Sequence, residues 1–256
     1  MRKKWSQGSL DYIQSLVELG RTLGRHAALA KSSDYQKFKA FGGELQRGAR
    51  TALQDKSGNA TLSTEPNLVF EAQLGKGLPE EGRTEIVIGG KSRFSDGVLS
   101  EQAINLIILF TPYADVGNLK AGRTYVVRKI HFDFDRENVR TSRPTSHMQV
   151  GGKIAEAMIA HVGDSESVEH ETFDQIDIPR IPSPPFGLAS VLDMALREFA
   201  PPSLQALTGE VVWNDLVSRT ETLLLSNYHG RLHEELRGRG NRTNYAFHCS
   251  ESVCDM

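Results

Sequence analysis

The spacing of apolar positions along the 256 residues of this chain changes character twice. In the first fifth, Leu10, Ile13, Leu16, Val17 and Leu23 recur at helical intervals, with Ser9 suited to cap the segment. A second helix is expected from Ser33, because Ser33-Asp34-Tyr35-Gln36 has capping-box form and Tyr35, Phe38, Leu45 and Leu53 follow it. Gly42-Gly43 is expected to bend or split that helix. The polar stretch Asp55–Pro66, with Gly58 and Asn59, reads as a loop.

From Asn67 the period falls to two. Asn67–Leu74, Thr84–Ile88, Ala103–Thr111, Thr124–Asp135 and the segment from His147 to Val150 are β-branched, aromatic or alternating runs separated by short polar links. Five strands in meander order imply an antiparallel sheet. Beyond Gly152 the pattern is weaker. Lys153–Val162 fits strand or helix, Gly163–Asp174 is acidic and reads as a loop, and prolines punctuate the crossing through Arg180 to Phe186. Leu188, Val191, Leu192, Leu196 and Phe199 restore a helical stripe that Pro201-Pro202 ends. A last long helix starts near Gly209 and carries Val212, Trp213, Leu216, Val217, Leu223, Leu224 and Leu232. The expectation is a single α+β domain, with an antiparallel sheet of about five strands (67–152) under N-terminal (1–56) and C-terminal (186–236) helices. An irregular crossing (153–185) and a tail (237–256) complete it.

Composition narrows the class. Charged residues make up 24% of the chain and hydrophobic residues 39%, values that suit a globular protein. A formal charge of −2 gives no global field for nucleic acid or anionic membrane, so such binding needs a local patch. The longest apolar run, Ile104–Phe110, is too short to span a bilayer, and no hydrophobic segment follows the basic N-terminus. The two cysteines, Cys249 and Cys254, lie at the end of the chain, which argues against a disulfide framework and for the cytoplasm.

Candidate chemistry concentrates between Thr124 and Gly152. Read as a strand, Val126, Ile130, Phe132 and Phe134 face one way, and Val127, Lys129, His131, Asp133 and Asp135 the other. Antiparallel pairing with the next segment would bring His147 and Gln149 beside His131 and Asp133. His131, Asp133 and His147 are therefore the candidate catalytic residues, able to supply a base with its orienting carboxylate or to hold a divalent metal. Asp135 and Gln149 extend the row, while Arg140 and Arg143 in the intervening loop, and Arg180 between prolines, are candidate ligand-binding groups suited to oxyanions. The competing account is a solvated sheet face whose charges pair across strands. Other matches fail on their own terms. Gly89-Gly90-Lys91-Ser92 lacks the first glycine of a phosphate-binding loop, and Gly230 stands where a zinc peptidase helix bearing His229 and His233 would need glutamate.

His131-Phe132-Asp133-Phe134-Asp135, Arg143-Pro144-Thr145-Ser146-His147 with Gly151-Gly152, and Arg180-Ile181-Pro182 together resemble a family of uncharacterised bacterial proteins. The resemblance covers roughly Ala103 to Leu236. It implies a bacterial origin, in a mobile or defence-associated locus, and brings no established activity. Two functions are expected to compete: an accessory component binding nucleic acid or a protein partner, and a toxin-like metal-dependent phosphodiesterase or ribonuclease. The one cofactor in view is the candidate divalent metal, and the partner classes are nucleic acid and protein.

Overall fold

The computed structural model describes residues 5–26, 33–73, 81–136, 145–151, 168–169 and 180–238. Arg140, Arg143, the Lys153–Val162 segment, the Gly163–Asp174 segment apart from Val168 and Glu169, and both cysteines lie outside these residues.

Two helices open the chain, α1 (Gln7–Arg25) and α2 (Tyr35–Gln54). The cap of α1 is Ser6 rather than Ser9: the Ser9 N–H donates to the Ser6 hydroxyl at 3.2 Å. At the start of α2, Asp34 makes no side-chain cap. Its carboxylate instead accepts the Glu71 N–H at 3.2 Å and pairs with Lys37 at 2.9 Å, tying the helix to the sheet. Gly42-Gly43 does not break α2. Gly42 sits where α1 and α2 cross antiparallel, and a Cβ there would collide with the Gly20 carbonyl, as one on Gly20 would with the Gly42 carbonyl. The glycines are there because two backbones meet.

Among the described residues the sheet holds eight strand segments: β1 (Ala60–Ser63), β2 (Leu68–Glu71), β3 (Gly82–Ser95), β4 (Val98–Pro112), β5 (Thr124–Asp135), β6 (Ser146–Val150), β7 (Val168–Glu169) and β8 (Ile181–Pro182). Their order is β1-β3-β4-β5-β6-β8, with β2 also on β3 and the parallel β7 on β5. The architecture is α+β with an antiparallel sheet, and it has more strands than the five expected. Part of the surplus is β1, within the stretch read as a loop. The rest are β7 and β8, two residues each and too short to leave a periodic signature. β3 and β4 also run well past their apolar cores. They meet in a two-residue Asp96-Gly97 turn whose φ values of 55° and 79° are those of a type I′ hairpin.

On the first face of the sheet lie α1, α2, α3 (Leu188–Phe199) and α5 (Val211–Gly238), the last two joined by a short α4 (Pro202–Gln205) and a 3-10 turn. One apolar cluster joins Ile13, Leu16, Phe38 and Leu45 of the N-terminal helices to Phe70, Ile88, Leu106 and Phe132 of the sheet and to Leu192, Leu196 and Trp213. Each such side chain, taken fully out of water, contributes roughly 1.5–3 kcal/mol, enough in sum to hold both ends of the chain on one sheet. Val212, expected on the buried stripe of the last helix, is exposed. Among these apolar groups, Gln102 donates to Tyr12 Oη and to Ser92 Oγ. Burial pushes the Tyr12 hydroxyl up to about 12.

The second face starts apolar and turns polar. Val87, Ile107, Leu109 and Val126 form a small separate cluster on it. Val126 was expected beside Phe132, on the other side. The pairing shifts between Ile108–Arg128 and Leu109–Val126, so Val127 is an unpaired extra residue in β5 and everything before it changes face.

Candidate functional site

Downstream of the Val127 bulge, β5 returns to strict alternation. Ile130, Phe132 and Phe134 pack toward the helices, and Lys129, His131, Asp133 and Asp135 occupy the second face. The pairing of β5 with β6 sets His131 opposite Gln149 and Asp133 opposite His147. The register required for a shared site is thus the one observed. His131 and His147 are diagonal neighbours on that face, a separation of about 7–8 Å between backbones. β4 adds Asn105 opposite His131 and Glu101 opposite Asp135. On the far edge, β8 pairs Pro182 with His147 and carries Arg180 to the end of the row.

The row is less open than expected. Lys129 is 1% exposed, and His147 and Gln149 are 7% exposed, whereas His131, Asp133, Asp135 and Arg180 are half-buried. His147 Nε2 lies 3.4 Å from Asp133 Oδ2, with both ring nitrogens buried. Burial raises the Asp133 carboxyl above its ordinary value. His147, Arg180 and Lys129 pull it down and Glu101 pushes it further up, yet desolvation prevails. Four separate segments therefore act on one carboxylate: β4 through Glu101, β5 itself through Lys129, β6 through His147, and the approach to β8 through Arg180.

Such a cluster can do two things. A carboxylate beside an imidazole can orient it for proton transfer. An arginine and an imidazole at a half-exposed rim can grip an oxyanion, with the buried groups fixing their positions. Among the described residues, no group of three or more His, Cys, Asp and Glu side chains is placed to hold a metal ion. Of the sequence candidates, His131, Asp133, Asp135, His147, Gln149 and Arg180 are brought together. Arg140 and Arg143 fall outside the described residues.

Lys129, Glu101 and Asn105 were not singled out as site residues. One signal was present: Asn105 is the only polar residue between Ala103 and Phe110, and it marks where β4 leaves the apolar part of the second face. Comparison with protein families, with characterised proteins and with solved structures found no match, so the resemblance to a bacterial family rests on the motif residues alone.

Proposed function

We propose that the chain is a binding component that recognises a phosphate-bearing partner, nucleic acid foremost, through the half-exposed rim of His131, Asp133 and Arg180. The supporting observation is that β8 pairs with β6 at His147, which brings Arg180, remote in sequence, to that edge, where its charge acts on the Asp133 carboxyl. A guanidinium held at such a rim suits phosphate oxygens. The burial of His147, Gln149 and Lys129 beneath it favours a fixed recognition edge over an open catalytic centre. Arg140 and Arg143 belong to the same reading, as does an accessory role in the bacterial cytoplasm, at a mobile or defence-associated locus. Fluorescence anisotropy with labelled single-stranded RNA and DNA tests it. Arg180→Ala should weaken binding by about tenfold, the loss of one charge-assisted contact. Equal affinity of variant and wild type rejects the rim.

A second reading, metal-dependent phosphodiester cleavage, is favoured by the 3.4 Å approach of His147 to Asp133. It requires RNA or DNA turnover with added Mg²⁺ or Mn²⁺ that His147→Ala abolishes without lowering the melting temperature. A wild-type protein inert under those conditions excludes it.

A further inference from the structure

The charge of this chain is unevenly spread. Residues 1–54 hold ten Lys and Arg against four Asp and Glu, a formal +6, whereas the whole chain carries −2 and the remainder therefore −8. Half of that excess, +3, falls on residues 7–54, the α1–α2 hairpin, which turns its apolar side to the sheet and its other side to solvent. The acids of that hairpin are mostly engaged. Asp34 pairs with Lys37 at 2.9 Å, Glu44 pairs with Arg47, and Glu18 reaches across to Arg219 of α5. Arg21 and Arg25 on α1, and Lys39 and Arg50 on α2, are exposed and have no ion-pair partner among the described residues.

We infer that this outer face of the α1–α2 hairpin is a docking surface for the phosphate backbone of double-stranded nucleic acid, separate from the sheet rim. Arg21 and Arg25 are one helical turn apart, about 6 Å. Lys39 and Arg50 span about 16 Å along α2, the rise of roughly five base pairs. The close Gly20–Gly42 crossing holds the two rows side by side as one rigid element. A lipid surface fits less well. A helix that lies in a membrane needs large apolar side chains turned outward, and among the described residues the exposed large apolar ones (Tyr113, Val127, Ile181, Val211 and Val212) all lie outside α1 and α2. The cations contact phosphates without reading bases, so the surface supplies affinity and not sequence choice.

The test is binding of the full chain to a random-sequence DNA duplex across a salt series. Four phosphate contacts correspond to a slope of about −3.6 in log K against log salt. The combined variant Arg21→Gln, Arg25→Gln, Lys39→Gln, Arg50→Gln should flatten that slope by about 3 and weaken low-salt binding at least about tenfold. An equal number of exposed cations removed from β3 and the approach to β5 (Arg83, Lys91, Arg93 and Arg123, each to Gln) should leave both nearly unchanged. Should the combined variant melt early, Arg21→Gln and Arg50→Gln singly should each flatten the slope by about 1. The proposal is overturned if wild type does not bind duplex at low salt, or if the two sets of variants weaken it equally. Binding to phosphatidylserine vesicles as strong as to duplex also overturns it. Because the readout is duplex and the residues are helical, failure here leaves the Arg180-dependent binding of single strands untouched.

Discussion

Two ionisable residues raised by burial make stability fall as pH rises, each in its own pH window. Tyr12 is 2% exposed and its hydroxyl is held up to about 12, against about 10 in an unfolded chain. The folded state keeps that proton longer. Its contribution is therefore complete below pH 10 and is lost as pH rises toward 12, a fall on the order of 3 kcal/mol. Urea titrations between pH 8 and 12 should show this slope in wild type and not in Tyr12→Phe. At neutral pH Tyr12→Phe should cost about 1–2 kcal/mol, because Gln102 loses an acceptor in the core. Asp133 is also raised, by burial first, and as in tyrosine its charged form is the deprotonated one, so only the pH window differs. Its penalty appears as pH rises from the ordinary aspartate range through the raised value, and persists at neutrality. Asp133→Asn should melt at or above the wild-type temperature at pH 7, and the gap should close toward pH 4. A clear drop at pH 7 would mean that its pairing with His147 and Arg180 outweighs desolvation.

Among elements, the crossing of α1 and α2 offers a contrast between adjacent glycines. Gly42 lies against the Gly20 carbonyl, whereas a Cβ on Gly43 would meet nothing. Gly20→Ala and Gly42→Ala should each cost about 1–3 kcal/mol through forced separation of the helices. Gly43→Ala should stabilise by roughly 0.5–1 kcal/mol, the ordinary gain of alanine over glycine within a helix. Thermal melts of the three variants decide this, and an equal loss at Gly42 and Gly43 would show that the crossing is not what selects glycine. This is also where legibility in sequence failed in an instructive way. A Gly-Gly pair reads locally as a helix breaker, and only the partner helix reveals it as a contact. The polar row of β5 and β6 was legible because period-two alternation carries facing directly, so His131, Asp133, His147 and Gln149 could be placed together. β1, β7 and β8 were not, being too short for a period, and the burial of Lys129 depends on how the whole sheet is assembled. The Asp96-Gly97 hairpin turn was present in the sequence as a strong turn signal, lying between the two strands it joins.

For the molecule as a whole, the apolar cluster that includes residues as far apart as Ile13 and Trp213 predicts one cooperative unit. Trp5 sits at the start of α1, edge-on to Phe94 at 5.5 Å, and Trp213 is fully buried in α5 with its indole N–H on Asp193 at 2.7 Å. The single-tryptophan variants Trp5→Phe and Trp213→Phe should therefore each show the fluorescence transition of its remaining indole coinciding with loss of helical circular dichroism in urea. Separate midpoints within either variant would split the helices of the two chain ends into independent units. The same layering gives the two proposed recognition surfaces opposite sides of the molecule. The helices occupy one side of the sheet and offer their outer flank, and the other side is left to the polar row.

The surplus residue Val127 has a consequence for how the protein can vary. It acts as a phase shifter, so the half of β5 before it and the half after it obey opposite inside–outside rules. Substitutions tolerated on one half need not be mirrored on the other. Removing that single residue would merge the two rules into one continuous alternation, with Val126 still opposite Leu109 on the second face and the histidine and aspartates further along keeping their orientation.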